Sequence, residues 1–148
     1  MSSMSDTDVR VRLYRDFVRD GRAPSADQLA ARMQMPVAEI HAAWERLAAG
    51  KAIVLQPESR EILMANPLSA VATPFLVRWE ERYFFASCVW DGLGIIAMLK
   101  VDAALESSCG CCGEALTIAI REGVPVPQDG VIHFAIPAKR WWQNIVFT

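Results

Sequence analysis

Apolar residues recur every three or four positions through the first 50 residues, a spacing that gathers them on one side of a helix. Three helices are predicted. The first ends near Gly21, and the second begins at Ser25, where Gln28 completes a capping box. Pro36 interrupts the pattern, and a third helix follows that stops at Gly50. The apolar faces of the three helices are predicted to consist of Val9, Leu13, Phe17, Leu29, Met33, Ile40, Trp44 and Leu47.

Two short apolar runs come next, at residues 52–55 and 61–64, on either side of the polar segment 56–60. Runs of this length around a polar turn predict a β-hairpin. Three helices followed by a hairpin is the element order of a winged-helix domain. Residues 1–65 are therefore predicted to form a winged-helix-like domain.

The second half of the chain, residues 66–148, is predicted to be a separate domain in which strands outnumber helices. Segment 66–74 contains two prolines and is predicted to be a linker. One helix is predicted over about residues 90–100, and a loop over residues 124–130. A small mixed β-sheet with one helix, behind a helical domain, makes the chain an α+β protein. The predicted strands are residues 75–79, 83–87, 103–106, 115–121 and 131–135.

Composition narrows the location and the class of partner. Of 148 residues, 53% are apolar, which is ample for a packed core. The formal charge of −2 gives no general attraction for nucleic acid or an anionic membrane. No apolar run approaches the roughly 20 residues of a membrane span, and the polar N-terminus lacks the apolar stretch of a signal peptide. A cytoplasmic protein with no membrane partner is expected.

The winged-helix order raises DNA binding as a possible function. The third helix would enter the major groove, and its exposed candidates are Glu39, His41, Glu45 and Arg46. This set is hardly basic, whereas DNA affinity depends on several lysine or arginine contacts to phosphates. A structural platform is therefore favoured over a DNA-binding domain.

Cys88 and Asp91 form the candidate chemical centre, because they stand three residues apart at the predicted start of a helix. Residues at i and i+3 share one helix face. The partial positive charge of a helix N-terminus is expected to lower the pKa of the thiol. A soft nucleophile beside a carboxyl group suits capture of a thiophilic metal and protonation of a leaving group. The alternative is an inert core cysteine beside an ordinary first-turn acid.

A second group of cysteines, Cys109, Cys111 and Cys112, lies in a glycine-flanked turn between two predicted strands. Three thiols so close could bind zinc or a softer metal. A closed zinc site needs a fourth ligand, and neither histidine of the chain has ligand spacing relative to this turn. A turn with partly buried cysteines, a redox pair and a thiol relay toward Cys88 are the alternatives.

Four segments resemble the organomercurial (alkylmercury) lyase family. Residues 66–75 (NPLSAVATPF) are similar to its proline-containing segment, and residues 85–93 (FASCVWDGL) to its cysteine and aspartate motif. Residues 107–114 (SSCGCCGE) resemble the turn that follows, and residues 141–148 (WWQNIVFT) the approach to its last motif. The resemblance covers most of the chain and rests on the order and spacing of all four segments.

The resemblance implies cleavage of a carbon–mercury bond, with hydrocarbon and mercuric ion as products. Cys88 is then the attacking thiolate, and Asp91 moves the proton to the leaving carbon. Trp90 and Trp142 are the candidates for a substrate-binding wall, with core packing as the alternative. No cofactor is implied; mercury is the substrate or product ligand, and small thiols receive it.

The family uses a second cysteine in its last motif, and this chain ends at Thr148, about where that cysteine is expected. A truncated form and a homologue with altered chemistry both remain open. Cys111 or Cys112 could join Cys88 as metal ligands if the turn folds over it. A non-catalytic protein that captures or senses thiophilic metals, including a winged-helix regulator, is the alternative function. A monomer or a homodimer is expected, the latter if a sheet edge is exposed.

Overall fold

A computed structural model describes residues 4–146 of the chain. Three helices lead into an eight-stranded sheet, against which a fourth helix packs, so the α+β class is confirmed. None of the helices in this range is long and apolar enough to cross a membrane. The elements in chain order are α1 (Asp6–Asp20), α2 (Ala26–Met33), α3 (Val37–Ala49), β1 (Val54–Leu55), β2 (Ile62–Ala65), β3 (Leu68–Ser69), β4 (Leu76–Trp79), β5 (Arg82–Ala86), α4 (Val89–Leu99), β6 (Ala103–Ser108), β7 (Ala115–Arg121), β8 (Val124–Val126) and a 3₁₀ helix (Ala138–Gln143).

The first three helices begin and end close to where the sequence predicts. Capping boxes start α1 at Ser5 and α2 at Ser25, since each serine accepts a backbone N–H and the third residue of the helix bonds back. Gly21 ends α1 in the left-handed conformation that glycine adopts without strain (φ 71°). The predicted apolar faces point inward, and Leu13, Leu29, Ile40 and Trp44 are each 0% exposed.

A buried carboxylate joins α1 to α2. Asp16 is 1% exposed and is surrounded by three guanidinium groups. Arg12 and Arg19 approach its Oδ1 at 3.1 and 3.0 Å, and Arg32 of α2 approaches its Oδ2 at 3.0 Å. Asp20, which is more exposed, also bonds Arg32 at 2.9 Å. Charge pairing compensates the burial of Asp16 and links α2 to α1 through Arg32.

The sheet has the strand order β1-β2-β3-β5-β4-β6-β7-β8, and every pairing in it is antiparallel rather than mixed. The predicted hairpin is present as β1 and β2. The linker predicted at residues 66–74 is wrong in one respect, because it contains β3, which pairs with β2 on one side and β5 on the other. Leu68 and Ser69 are buried there. The predicted domain boundary after residue 65 thus falls between two paired strands.

The last part of the sheet also differs from the prediction. The predicted loop 124–130 opens with β8, which Gly123 (φ 78°) turns back onto β7. The strand predicted at residues 131–135 is absent from the described chain, and Val131 is 92% exposed. The edge of β7 is occupied by β8, which is the last strand of the sheet. The chain instead continues into the 3₁₀ helix.

Helix α4 lies directly on the sheet because a glycine faces it. Ile95 and Ile96 are buried, and Gly92 sits over Leu105 of β6. A Cβ atom on Gly92 would lie 2.5 Å from Cδ1 and 2.9 Å from Cδ2 of Leu105, closer than real contacts allow. The absence of a side chain therefore sets the distance between the start of α4 and the sheet.

Candidate functional site

Cys88 is the N-cap residue of α4, in the short connection between β5 and the helix. Its extended backbone and its sulfur, which accepts the N–H of Asp91 at 3.4 Å, begin the helix. Ala86, two residues earlier, is anchored by two hydrogen bonds. Its carbonyl accepts from the Thr73 hydroxyl at 2.6 Å, and its N–H donates to the carbonyl of Phe75 at 2.9 Å. The sheet and segment 66–74 together hold the cysteine in position.

The thiol and the carboxyl group predicted to act together are in contact. Cys88 Sγ lies 3.6 Å from Asp91 Oδ2, with the thiol donating, and both side chains are half-buried. This is the geometry in which a proton on sulfur passes directly to the carboxylate. The site hydroxyl of Ser87 is also buried and has no hydrogen-bond partner in the described part of the chain.

The electrostatics of the pair differ from the prediction. Burial raises the pKa of the Cys88 thiol, and the Asp91 carboxylate raises it further, although the backbone amides of Asp91 and Trp90 act in the opposite direction. The expectation of a pKa lowered by the helix start was therefore wrong, because desolvation outweighs the amides. Burial also raises the pKa of Asp91, although the thiol hydrogen bond opposes this. Both groups thus hold their protons more tightly than they would in water.

Trp90 lies between the two in sequence and points away from the core, with 57% of its surface exposed. It borders an apolar groove of about 620 Å³ between α4 and the β7–β8 hairpin. This groove was not predicted from the sequence. The only signal for it in the sequence is that the exposed positions of α4 are also apolar. Its walls include Leu93, Ala97, Val101, Ile120 and Pro125, and its charged end includes Lys100, Asp102 and Glu122.

Trp142 lies in the 3₁₀ helix, 39% exposed. The Lys51 ammonium group sits 5.7 Å from the centre of its ring, a cation–π contact between the 3₁₀ helix and the residue that follows the C-cap of α3. The neighbouring Trp141 donates its indole N–H to the carbonyl of Ile136 at 2.8 Å. Substrate binding by Trp90 and Trp142 stays a prediction.

The second cysteine group forms the tip of the β6–β7 hairpin. Cys109 is half-buried, whereas Cys111 and Cys112 are exposed. The backbone amides of Cys112 and Cys111, followed by the Cys112 side chain, lower the pKa of Cys109. The topology puts this tip and Cys88 at the same end of the sheet, because Leu76 of β4 pairs with Phe85 near the end of β5 and with Glu106 near the end of β6.

Within residues 4–146 no three side chains of histidine, cysteine, aspartate or glutamate are grouped so that they could hold a metal ion. A preformed site of three or more ligands is therefore not found in the described chain. The predicted metal role of Cys88, Cys111 and Cys112 stays a prediction.

Two arginines on the winged-helix-like part of the surface are engaged in ion pairs. Arg46 on α3 pairs with Asp6 at 2.7 Å, and Arg60 in the hairpin turn pairs with Glu45. These contacts neutralise the basic charge on the surface that a winged helix would present to phosphates.

Comparisons with known proteins identify a family and a related fold. The model of the MerB family, described as alkylmercury lyase, matches residues 68–148, just over half of the chain. No curated protein matches the chain. A solved structure, the mercury-bound form of MerB2, has a TM-score of 0.63 and 23% sequence identity, and covers 86% of this chain. The match spans 62% of the MerB2 chain, and at this identity it shows a shared fold.

Proposed function

Because the chain belongs to the alkylmercury lyase family, we propose that it takes organomercurials onto Cys88 and cleaves the carbon–mercury bond with a proton carried by Asp91. The observation that carries the proposal is the 3.6 Å contact between Cys88 Sγ and Asp91 Oδ2 in a half-buried position. In this contact the sulfur is the soft ligand that mercury prefers, and the carboxyl group carries the proton that the leaving carbon needs.

The first step is ligand exchange on mercury. Cys88 forms a sulfur–mercury bond, a small thiolate or halide leaves, and the thiol proton moves to Asp91. The raised pKa of Cys88 keeps its thiol protonated until mercury binds. The raised pKa of Asp91 suits its carboxyl group to hold the proton that the thiol then gives up. Mercury stays in the +2 state, so no electron donor or acceptor is required.

The second step releases the hydrocarbon. A second thiolate adds to mercury, the carbon–mercury bond breaks, and Asp91 delivers its proton to the carbon. The products are a hydrocarbon, a mercuric ion held between two sulfur atoms and an ionised Asp91, so charge and atoms balance. We propose that a small thiol in solution supplies this second thiolate. The groove that begins at Trp90 offers an apolar environment for the organic group.

The test follows benzene release from a phenylmercury compound by the reduced protein with excess small thiol. Cys88→Ser is expected to abolish release, and Asp91→Asn to slow it about 100-fold or more, the usual contribution of a positioned acid. Asp27→Asn is the matched control, since Asp27 occupies the first turn of α2 as Asp91 occupies that of α4, but is exposed. Binding of one phenylmercury group at Cys88 without benzene would instead favour capture without turnover.

A further inference from the structure

We propose that Cys109 and Cys112 form a second metal site, a pair of thiolates at the tip of the β6–β7 hairpin that holds a two-coordinate soft cation such as mercuric ion. The proposal stands whether or not Cys88 cleaves a carbon–mercury bond, because it concerns a different part of the chain. Binding replaces two thiol protons by the metal: one mercuric ion forms two sulfur–mercury bonds and two protons leave.

The turn is closed by its own backbone. The N–H of Cys109 donates to the carbonyl of Glu114, and the N–H of Gly113 donates to the carbonyl of Cys109, both at 2.8 Å. Gly113 adopts a positive φ of 74°, which glycine tolerates without strain. Both ends of the segment 109–114 are thereby fixed on the strands, and the cysteines stand on a tight loop of defined shape.

The spacing selects Cys112 rather than Cys111 as the partner of Cys109. The N–H of Gly113 donates to the carbonyl of Cys109, so the turn brings Cys112, the residue just before Gly113, back beside Cys109. Two thiols separated by two residues in a tight turn can converge on one metal ion, as in the Cys-X-X-Cys arrangement. Cys111 is exposed on the same loop and provides an internal control.

The ligand count selects the class of metal. Zinc in a structural site requires four ligands, and residues 4–146 offer no group of even three. Mercuric and cuprous ions favour thiolates, and two sulfur atoms satisfy a linear coordination. The exposed hairpin tip gives a hydrated soft cation free access from solvent.

The experiment uses the full chain carrying Cys88→Ser, so that the first site cannot contribute. Reduced protein is mixed with mercuric chloride and an excess of a monothiol, desalted, and assayed for mercury per chain and for sulfur-to-mercury absorption in the ultraviolet. About one mercuric ion per chain is expected. Adding Cys109→Ser or Cys112→Ser should weaken retention roughly 100-fold or more, since a linked pair of ligands is lost. Adding Cys111→Ser should leave retention unchanged, and zinc should not be retained.

A second measurement requires no substitution in the turn, so the turn keeps its native sequence. Iodoacetamide labelling of the Cys88→Ser protein, read by mass spectrometry, should show mercury protecting Cys109 and Cys112 while Cys111 is alkylated. Loss of binding in the Cys111→Ser variant, protection of Cys111, absence of mercury from the Cys88→Ser protein, or preferential retention of zinc would each overturn the proposal. Failure at this site leaves benzene release at Cys88 unaffected, so the two proposals are tested separately.

Discussion

Replacing Gly92 by alanine tests whether the missing side chain at this position lets α4 lie directly on the sheet. The new Cβ would meet Leu105 at 2.5 and 2.9 Å, and Leu105 is 0% exposed, so it cannot swing into solvent. Overpacking of this kind costs about 1–3 kcal/mol. The better helix propensity of alanine returns about 1 kcal/mol. We expect a net loss of up to about 2 kcal/mol in the free energy of unfolding, measured by urea denaturation followed by tryptophan fluorescence.

Gly94→Ala is the matched control in the same helix. A Cβ there would lie 3.5 Å from Cβ of Pro67, an ordinary van der Waals contact, so propensity alone should act and stability should rise by up to about 1 kcal/mol. The double variant Gly92→Ala with Leu105→Ala should be more stable than the two single losses predict, since the added methyl group enters the space that leucine vacates. If Gly92→Ala is as harmless as Gly94→Ala, or if the double variant shows no coupling, the reasoning is refuted.

Three further predictions follow from the charges and contacts. Because the folded-state pKa of Asp91 is raised, the free energy of unfolding falls as pH rises from 3.8 through that pKa. Asp91→Asn should remove this loss when urea denaturation is measured across the same pH range. Stability–pH curves that run parallel for the two proteins would contradict the prediction. Asp16→Ala should lower the free energy of unfolding by about 2 kcal/mol, because the hydrogen bonds of Asp16 to charged groups are buried. Asp20 is more exposed, so Asp20→Ala should lower it by less than about 1 kcal/mol. Equal losses would refute the role of burial. Lys51→Met should raise the rate of amide hydrogen exchange in the 3₁₀ helix about two- to fivefold, as expected when the cation–π contact with Trp142, worth ~0.5–1 kcal/mol, is lost. An unchanged rate would show that this contact does not hold the 3₁₀ helix against the residue Lys51.

The sequence predicts those parts of the fold that local rules determine. Helices α1 to α3 follow from apolar spacing, and their boundaries follow from Ser25, Gly21 and similar capping residues. The β1–β2 hairpin and the position of Cys88 at a helix start follow in the same way. Each of these signals lies within a few residues of the structure it specifies.

Other parts depend on contacts between distant segments. Strand β3 has two residues and is defined only by its pairing with β2 and β5. Strand β8 contains Pro125, which a central strand would reject but an edge strand tolerates. The raised pKa of Cys88 depends on how deeply the fold buries it, and the contact between Gly92 and Leu105 depends on how α4 lands on β6. Local pattern carries none of this information.

Strand β3 gives the chain a mechanical continuity that its helical and strand-rich halves would not have as two independent domains joined by a linker. Its two residues share backbone hydrogen bonds with β2 on one side and β5 on the other, and one apolar core runs beneath them from Val9 to Ile120. Such a structure is expected to melt cooperatively, in one transition. Cutting it after residue 65 would leave β2 and β3 each with an unpaired edge, and the separated fragments would tend to associate rather than fold alone.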